Sequence, residues 1–348
     1  MAGQRLSRAS SRARNVVENL ISQGEKLSDP NLAQAISIGP HNVELAFASS
    51  GALRDLIVGA FVHPVNFSTS SVTRVYVCFQ SDSVDLPNFD WALEWIMQNQ
   101  VIPSALTSPH RLFIDKNQGI IYCFDPINKK ALIYIRNTRH LDLRSFITPF
   151  RLMWSWIATM SSSLILHAAA IEVNGFGVLL SGPSGSGKST LALSASSRRG
   201  HPIISDDCVL VHQEKIYAIY SRAKLKPETV KEMGFKGDVE IHSLPVNYAA
   251  KNFVQIPQAF PNYKTKSKVS LIVFPAIYGR GGSFELDVSR ARLMLTSDSM
   301  REVFSGTPLA RRGIRDLVAS IPTHRLLLGD SINENITNLE EIVSHVHS

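Results

Sequence analysis

Residues Gly182 to Ser189 read Gly-Pro-Ser-Gly-Ser-Gly-Lys-Ser. The glycines of this loop permit backbone conformations in which consecutive N–H groups close around a phosphate chain. Its flanks restrict how it can fold. Phe176 to Leu180 is a short apolar run of strand character, and Lys188 to Arg199 is rich in helix formers, with Leu191, Ala192 and Ala195 at helical spacing. Strand, glycine-rich turn and helix in that order point the free N–H groups and positive dipole end of the helix at an anion. In such a P-loop Lys188 reaches the β- and γ-phosphates and Ser189 ligates Mg²⁺. The backbone from Gly182 through Pro183, Ser184, Gly185, Ser186 and Gly187 to Thr190 forms the cradle. The motif predicts binding of a nucleoside triphosphate with Mg²⁺ and leaves open what is done with it.

The neighbouring segments narrow the choice. Leu166 to Val173 has strand character, and Asn174-Gly175 is the two-residue signal of a tight hairpin into the Phe176 strand. The P-loop strand is therefore expected to have an antiparallel neighbour, unlike the first strand of a doubly wound nucleotide fold. After the helix, Gly200 reads as its stop and Pro202 to Ser205 as a short return strand ending in Asp206-Asp207. Adjacent side chains at a strand end point to opposite faces, so one carboxylate can reach a metal while the other meets an incoming nucleophile. Phosphoryl transfer to an alcohol needs that pair of roles.

The run from His167 through the P-loop, followed by Arg-Gly-His-Pro-Ile-Ile-Ser-Asp-Asp, resembles the catalytic domain of bacterial HPr kinase/phosphorylase and its relatives. His167 before the P-loop, Gly200-His201 after its helix and Asp206-Asp207 at the next strand end match that family's features. The resemblance implies an α/β fold shared with phosphoenolpyruvate carboxykinases, a P-loop in a mixed sheet. It also implies ATP-dependent transfer of the γ-phosphoryl to a serine hydroxyl of a protein or peptide. A small-molecule kinase and a non-kinase nucleotide switch are the alternatives. By resemblance Asp206 is the carboxylate that takes the hydroxyl proton and Asp207 the metal-side partner, an assignment that can be exchanged. His167 donates to phosphate oxygens or holds an aspartate in place, and His201 packs at the helix exit. The family's Glu-Ile-Arg-Gly signature is reduced to Glu240-Ile241 within Asp238 to Pro245, which argues against reverse phosphorolysis and leaves the oligomeric state open. Lys224 and Lys251 lie in segments similar to those of related enzymes. They place charge near the γ-phosphate or substrate, or are solvated surface lysines.

A chain of 348 residues is long for one core. The expected division is a basic, flexible arm at 1–25, an α+β recognition or regulatory domain at 26–148, and a catalytic domain at 149–348. A net charge of +7, from 36 basic and 29 acidic residues, forms no nucleic-acid stripe. Three cysteines without paired spacing fit a reducing, cytoplasmic setting. Leu152 to Ile171 carries no formal charge, but its serines and threonine make it a buried helix and strand rather than a membrane span. In the first half, Val72–Phe79, Arg111–Ile114, Gly119–Phe124 and Ala131–Ile135 predict an antiparallel meander, and Trp91 and Trp95 a short helix. Later, Val269–Pro275 reads as a buried strand, Gly279–Gly282 as a turn or hairpin tip, and the arginines 311, 312 and 315 as a solvated helix face.

Overall fold

The computed structural model describes residues 2–62, 72–87, 109–141, 143–225, 242–243, 252–303 and 308–348. The chain forms two compact units, Met1–Gly59 with His63–Phe146, and Ala60–Val62 with Ile147–Ser348.

The first unit opens with helix α1 (Ala2–Leu27). The expected flexible arm is thus replaced by helix. Ala13, Val17, Leu20 and Ile21 recur at helical spacing and are buried, and the last three join a cluster with Tyr76, Cys123 and Leu132. Burying that stripe orders the segment despite its basic residues. Strands β1 (Gln34–Ile38) and β2 (His41–Phe47) follow, then helix α2 (Ala52–Val58) and strands β3 (Val72–Phe79), β4 (Arg111–Asp115), β5 (Ile120–Asp125) and β6 (Lys130–Ile135). They form one sheet in the order β1-β2-β3-β6-β5-β4. The meander holds for β4, β5 and β6, whose turns are tied by Asp115 and Asp125 side chains accepting from backbone N–H groups two and three residues on. It fails at β3, which runs parallel to both β2 and β6. Val75 to Cys78 are buried without alternation, the pattern of a strand covered on both faces, and such strands take central, parallel positions. Trp91 and Trp95 lie outside the described residues.

In the second unit the uncharged stretch divides into helix α3 (Arg151–Ala158) and strands β7 (Leu164–Leu166) and β8 (Ala168–Val173). Then come β9 (Phe176–Ser181), helix α4 (Lys188–Arg199), and strands β10 (Ile203–Ser205), β11 (Val209–His212), β12 (Lys215–Ala218), β13 (Arg222–Leu225), β14 (His242–Ser243), β15 (Asn252–Gln255), β16 (Lys266–Gly279) and β17 (Gly282–Glu285). Helices α5 (Val288–Val303) and α6 (Pro308–Ser320), strand β18 (Thr323–Gly329) and helix α7 (Ile332–His347) complete it. The main sheet is mixed, as expected. β9 pairs antiparallel with β8 across the Asn174-Gly175 turn and parallel with β16, and β16 pairs parallel with β18. Gly279–Gly282 is not a hairpin tip, because β17 pairs with β18 and not with β16. β13, β15 and β14 make a separate small sheet. Among the described residues no helix is long and apolar enough to cross a membrane.

Both faces of the main sheet are covered. Ala169, Ile171, Val178, Leu180, Leu271 and Val273 share one core with Leu191 and Ala195 of α4 and with Ile336, Leu339 and Val343 of α7. The intervening Ala168, Ala170, Leu179, Ile272 and Phe274 share another with Leu295 of α5 and Ile314 and Val318 of α6. Helices on both faces explain why these strands read as continuous apolar runs rather than alternating ones. At the start of the P-loop strand, a Cβ on Gly177 would lie 2.1 Å from the Lys268 carbonyl oxygen of β16. Gly177→Ala is therefore expected to push the two strands apart and lower stability by about 1–3 kcal/mol, read as a lower urea midpoint.

Candidate active site

The strand, loop and helix around Gly182–Ser189 take the expected form, with β9 feeding the loop and α4 leaving it. Gly187 caps α4 at a φ of 97°, a left-handed conformation, and its missing Cβ leaves room for Leu328, whose Cδ1 would otherwise be 2.3 Å away. Lys188 is buried at 6% exposure, and its ammonium donates to the carbonyl oxygens of Gly182 and Pro183. Its charge is thereby held across the mouth of the loop.

His167 and the two aspartates come together through an interruption of paired strands. Leu166 faces Val209 where β7 pairs with β11, and Ala170 faces Ser205 where β8 pairs with β10. The two chain segments run antiparallel past each other on both sides of the gap, so His167 between β7 and β8 lies opposite Asp207 and Cys208 between β10 and β11. Freed from the ladder, these residues can turn their side chains toward one another. His167 Nδ1 lies 3.0 Å from the Asp207 carbonyl oxygen and 3.1 Å from its Oδ1. Both neighbours are acceptors, so Nδ1 carries the hydrogen and the imidazole fixes the Asp207 carboxylate against its own backbone.

The two carboxylates differ in surroundings. Asp206 is 1% exposed, and its Oδ2 accepts the Lys224 backbone N–H at 3.0 Å. Burial, and then the neighbouring Asp207 charge, push its pKa up to about 6, although hydrogen bonds from the Ser189 side chain and Lys224 oppose this. Its Oδ1 is buried with no hydrogen-bond partner among the described residues. The Asp207 side chain keeps 24% exposure, and Arg151 Nη1 lies 3.7 Å from its Oδ2. Burial alone would raise its pKa, but Arg151 and His167 outweigh that and hold it well below the usual carboxylate range. One carboxylate is thus enclosed beside the P-loop serine, and the other is held as an anion and keeps partial exposure.

Lys224 is half-buried, and its charge acts on both aspartates. Lys251 lies outside the described residues. Asp207 was expected on the metal side with Ser189, yet Ser189 bonds Asp206. His201 pairs with Glu340 of α7 at 2.7 Å, a contact at the exit of α4. Sequence reading passed over Arg151. Its signal was there, since it is the lone charge at the head of an otherwise uncharged apolar stretch, where a buried cation needs an acid.

Comparison with known proteins places the match on this same region. Residues 158–253 match the family described as HPr Serine kinase C-terminal domain. A HPr kinase/phosphorylase of Bacillus pumilus is 31% identical over 150 residues, covering 42% of this chain and 48% of the relative. Those of Bacillus subtilis and Geobacillus kaustophilus are 32% identical over 85 residues and 42% over 55, covering 24% and 16% of this chain and 27% and 17% of the relatives. The chain thus spans about half or less of the length of these curated relatives. The solved Hpr(Ser) kinase/phosphatase of Coxiella burnetii aligns at 12% identity with 53% of this chain and 99% of its own, with a TM-score of 0.28.

Opposite shifts in the two aspartates give opposite dependences of stability on pH. The elevated value of Asp206 means that its ionised form opposes folding, a cost that appears as pH rises through about 4 and is complete above about 6. Asp206→Asn is expected to raise stability by about 1–3 kcal/mol at pH 8 and to change little at pH 4. Asp207, depressed, contributes stability present above its unfolded value and lost on acidification. Arg151→Met should cost about 1–3 kcal/mol at pH 7, a deficit that shrinks below about pH 4. Urea unfolding across pH tests both signs.

Proposed function

We propose that this chain, which carries an HPr kinase-like catalytic domain, is an ATP-dependent kinase that transfers the γ-phosphoryl group to a serine hydroxyl of a protein or peptide. The observation that carries this reading is the pair of unlike carboxylates beside the P-loop serine. The hydroxyl oxygen bonds to the γ-phosphorus, the bond from that phosphorus to the bridging oxygen breaks, ADP leaves, and the hydroxyl proton passes to a carboxylate.

Geometry favours Asp207 for that proton, the exchanged form of the sequence assignment. It is the more exposed of the two aspartates, and Arg151 and His167 favour its ionised form. Its low basicity suits a loose transition state, in which the hydroxyl is oriented first and loses its proton late. Lys188 and the P-loop N–H groups stabilise the phosphates.

The residues fit a magnesium ion. The partnerless Oδ1 of Asp206 is a buried acceptor, and the Ser189 hydroxyl sits on the same carboxylate. Among the described residues no group of three or more His, Cys, Asp or Glu gathers into a protein cage. A site of one carboxylate and one hydroxyl, completed by phosphates and water, is the usual magnesium arrangement. When bound, the ion neutralises charge on the β- and γ-phosphates.

The reading places the reaction in the cytoplasm. The six-stranded unit would then serve recognition or regulation. The relatives' names include a phosphorylase activity, but the segment that carries the weakened signature lies outside the described residues apart from His242 and Ser243.

The test is transfer from γ-labelled ATP into fractions of a host lysate. The parent should label a polypeptide. Lys188→Ala should weaken nucleotide binding or remove turnover. Asp207→Asn should lower transfer by about 100-fold or more with ATP affinity nearly unchanged, while Asp206→Asn should chiefly remove the dependence of ATP binding on Mg²⁺. Label in a small metabolite alone would identify a small-molecule kinase. Tight Mg·ATP binding with no transfer would identify a nucleotide switch.

A further inference from the structure

Helices α5 and α6 enclose a groove of about 530 Å³ on the face of the second unit. Arg292 and Leu293 of α5 line it together with Pro308, Arg311, Arg312 and Arg315 of α6. The sequence alone offered three arginines on one solvated helix face. The fold adds a fourth from a second helix and turns the face into a concave surface. Arg315 is paired with its neighbour Asp316. Among the described residues no carboxylate pairs with Arg292, Arg311 or Arg312, and all three are exposed.

An apolar component accompanies the charge. Leu293 is 70% exposed inside the groove. Arg312 also lines a second cavity, of about 520 Å³, which Leu309, 55% exposed, enters beside Leu164 and Val211. The two hollows adjoin at Arg312 as one track, basic at one end and of mixed polar and apolar lining beyond it, where Leu309 is the exposed apolar side chain. Glu214 and Asp316 line the second hollow, so an anion is favoured only in the first. A nucleic acid would want unbroken positive charge along its backbone and aromatic faces for its bases, and neither lines the track. A bilayer would want a convex or flat surface.

We propose that this track docks an acidic segment of a protein partner, with carboxylates on Arg292, Arg311 and Arg312 and an apolar side chain against Leu293 or Leu309. Arginine forks match carboxylates in pairs, and burying an exposed leucine adds to what charge contributes. The inference rests on the lining of the track and does not depend on the kinase reading.

The probe is a fluorescein-labelled peptide of about 12 residues, Asp and Glu with one central Leu, titrated with the full chain by anisotropy at about 0.1 M salt. Saturable binding is expected. Arg311→Glu with Arg312→Glu should weaken it by about 10-fold or more, and Leu293→Ser by about threefold. A variant with the same change in net charge elsewhere, Lys26→Glu with Arg139→Glu, should stay within about twofold. All substituted side chains are exposed, and far-ultraviolet dichroism checks that each variant is folded. The proposal is overturned if the parent does not saturate, if the two charge-reversed variants weaken binding equally, or if an oligothymidylate of the same charge binds as tightly as the peptide.

Discussion

Two carboxylates next to each other in the chain, one enclosed and one partly exposed, are the constraint around which the second unit is arranged. Left alone, they would repel in a medium of low dielectric, and one would hold a proton. The fold gives them different company. Asp207 receives a guanidinium and an imidazole, and Asp206 receives a backbone N–H and a hydroxyl. The asymmetry makes Asp207 a fixed anion, and that anion adds to the burial that lifts Asp206. The shift of Asp206 thus depends in part on the company given to Asp207.

That arrangement requires a particular sheet. A P-loop strand flanked by parallel crossovers would put a helix between His167 and the loop. Here a tight hairpin brings β8 directly beside β9, and the return from α4 brings β10 beside β8. The ladders then part on both segments at matching positions, which opens a space where side chains rather than backbone groups face each other. Because both faces of the sheet are packed with helices, that opening is held in a rigid surround.

Much of this was legible in the sequence because it is local. The P-loop depends on glycines in fixed register, the hairpin on Asn174-Gly175, and the doubled aspartate on a short strand end. What the sequence did not disclose depends on distant packing. The parallel placement of β3 is decided by which strands cover it, and the helix at the amino terminus by the sheet that receives Val17, Leu20 and Ile21. The pairing of roles within Asp206-Asp207 was open because alternation says only that the two point apart, and not which of them Ser189 and Arg151 will meet. The hairpin reading of Gly279–Gly282 failed because a short, half-exposed strand after a glycine turn fits a hairpin equally well until β18, which lies later in the chain, claims β17.

The family match begins at residue 158, so the catalytic loop, its histidine and its aspartates lie inside the matched region, and the arginine that sets the charge of Asp207 lies outside it. The arginines of α5 and α6 lie outside it as well. A phosphoryl-transfer centre tolerates little change, because its donors must meet one transition state. Its supports and its docking surfaces can vary with the partner, since they need only deliver the same charge and the same position. In this chain α3 reaches into the site from one side of the matched segment, and two helices beyond it present a basic track to the outside. On the kinase reading, the matched core would hold the chemistry, and the flanking elements would choose what is brought to it.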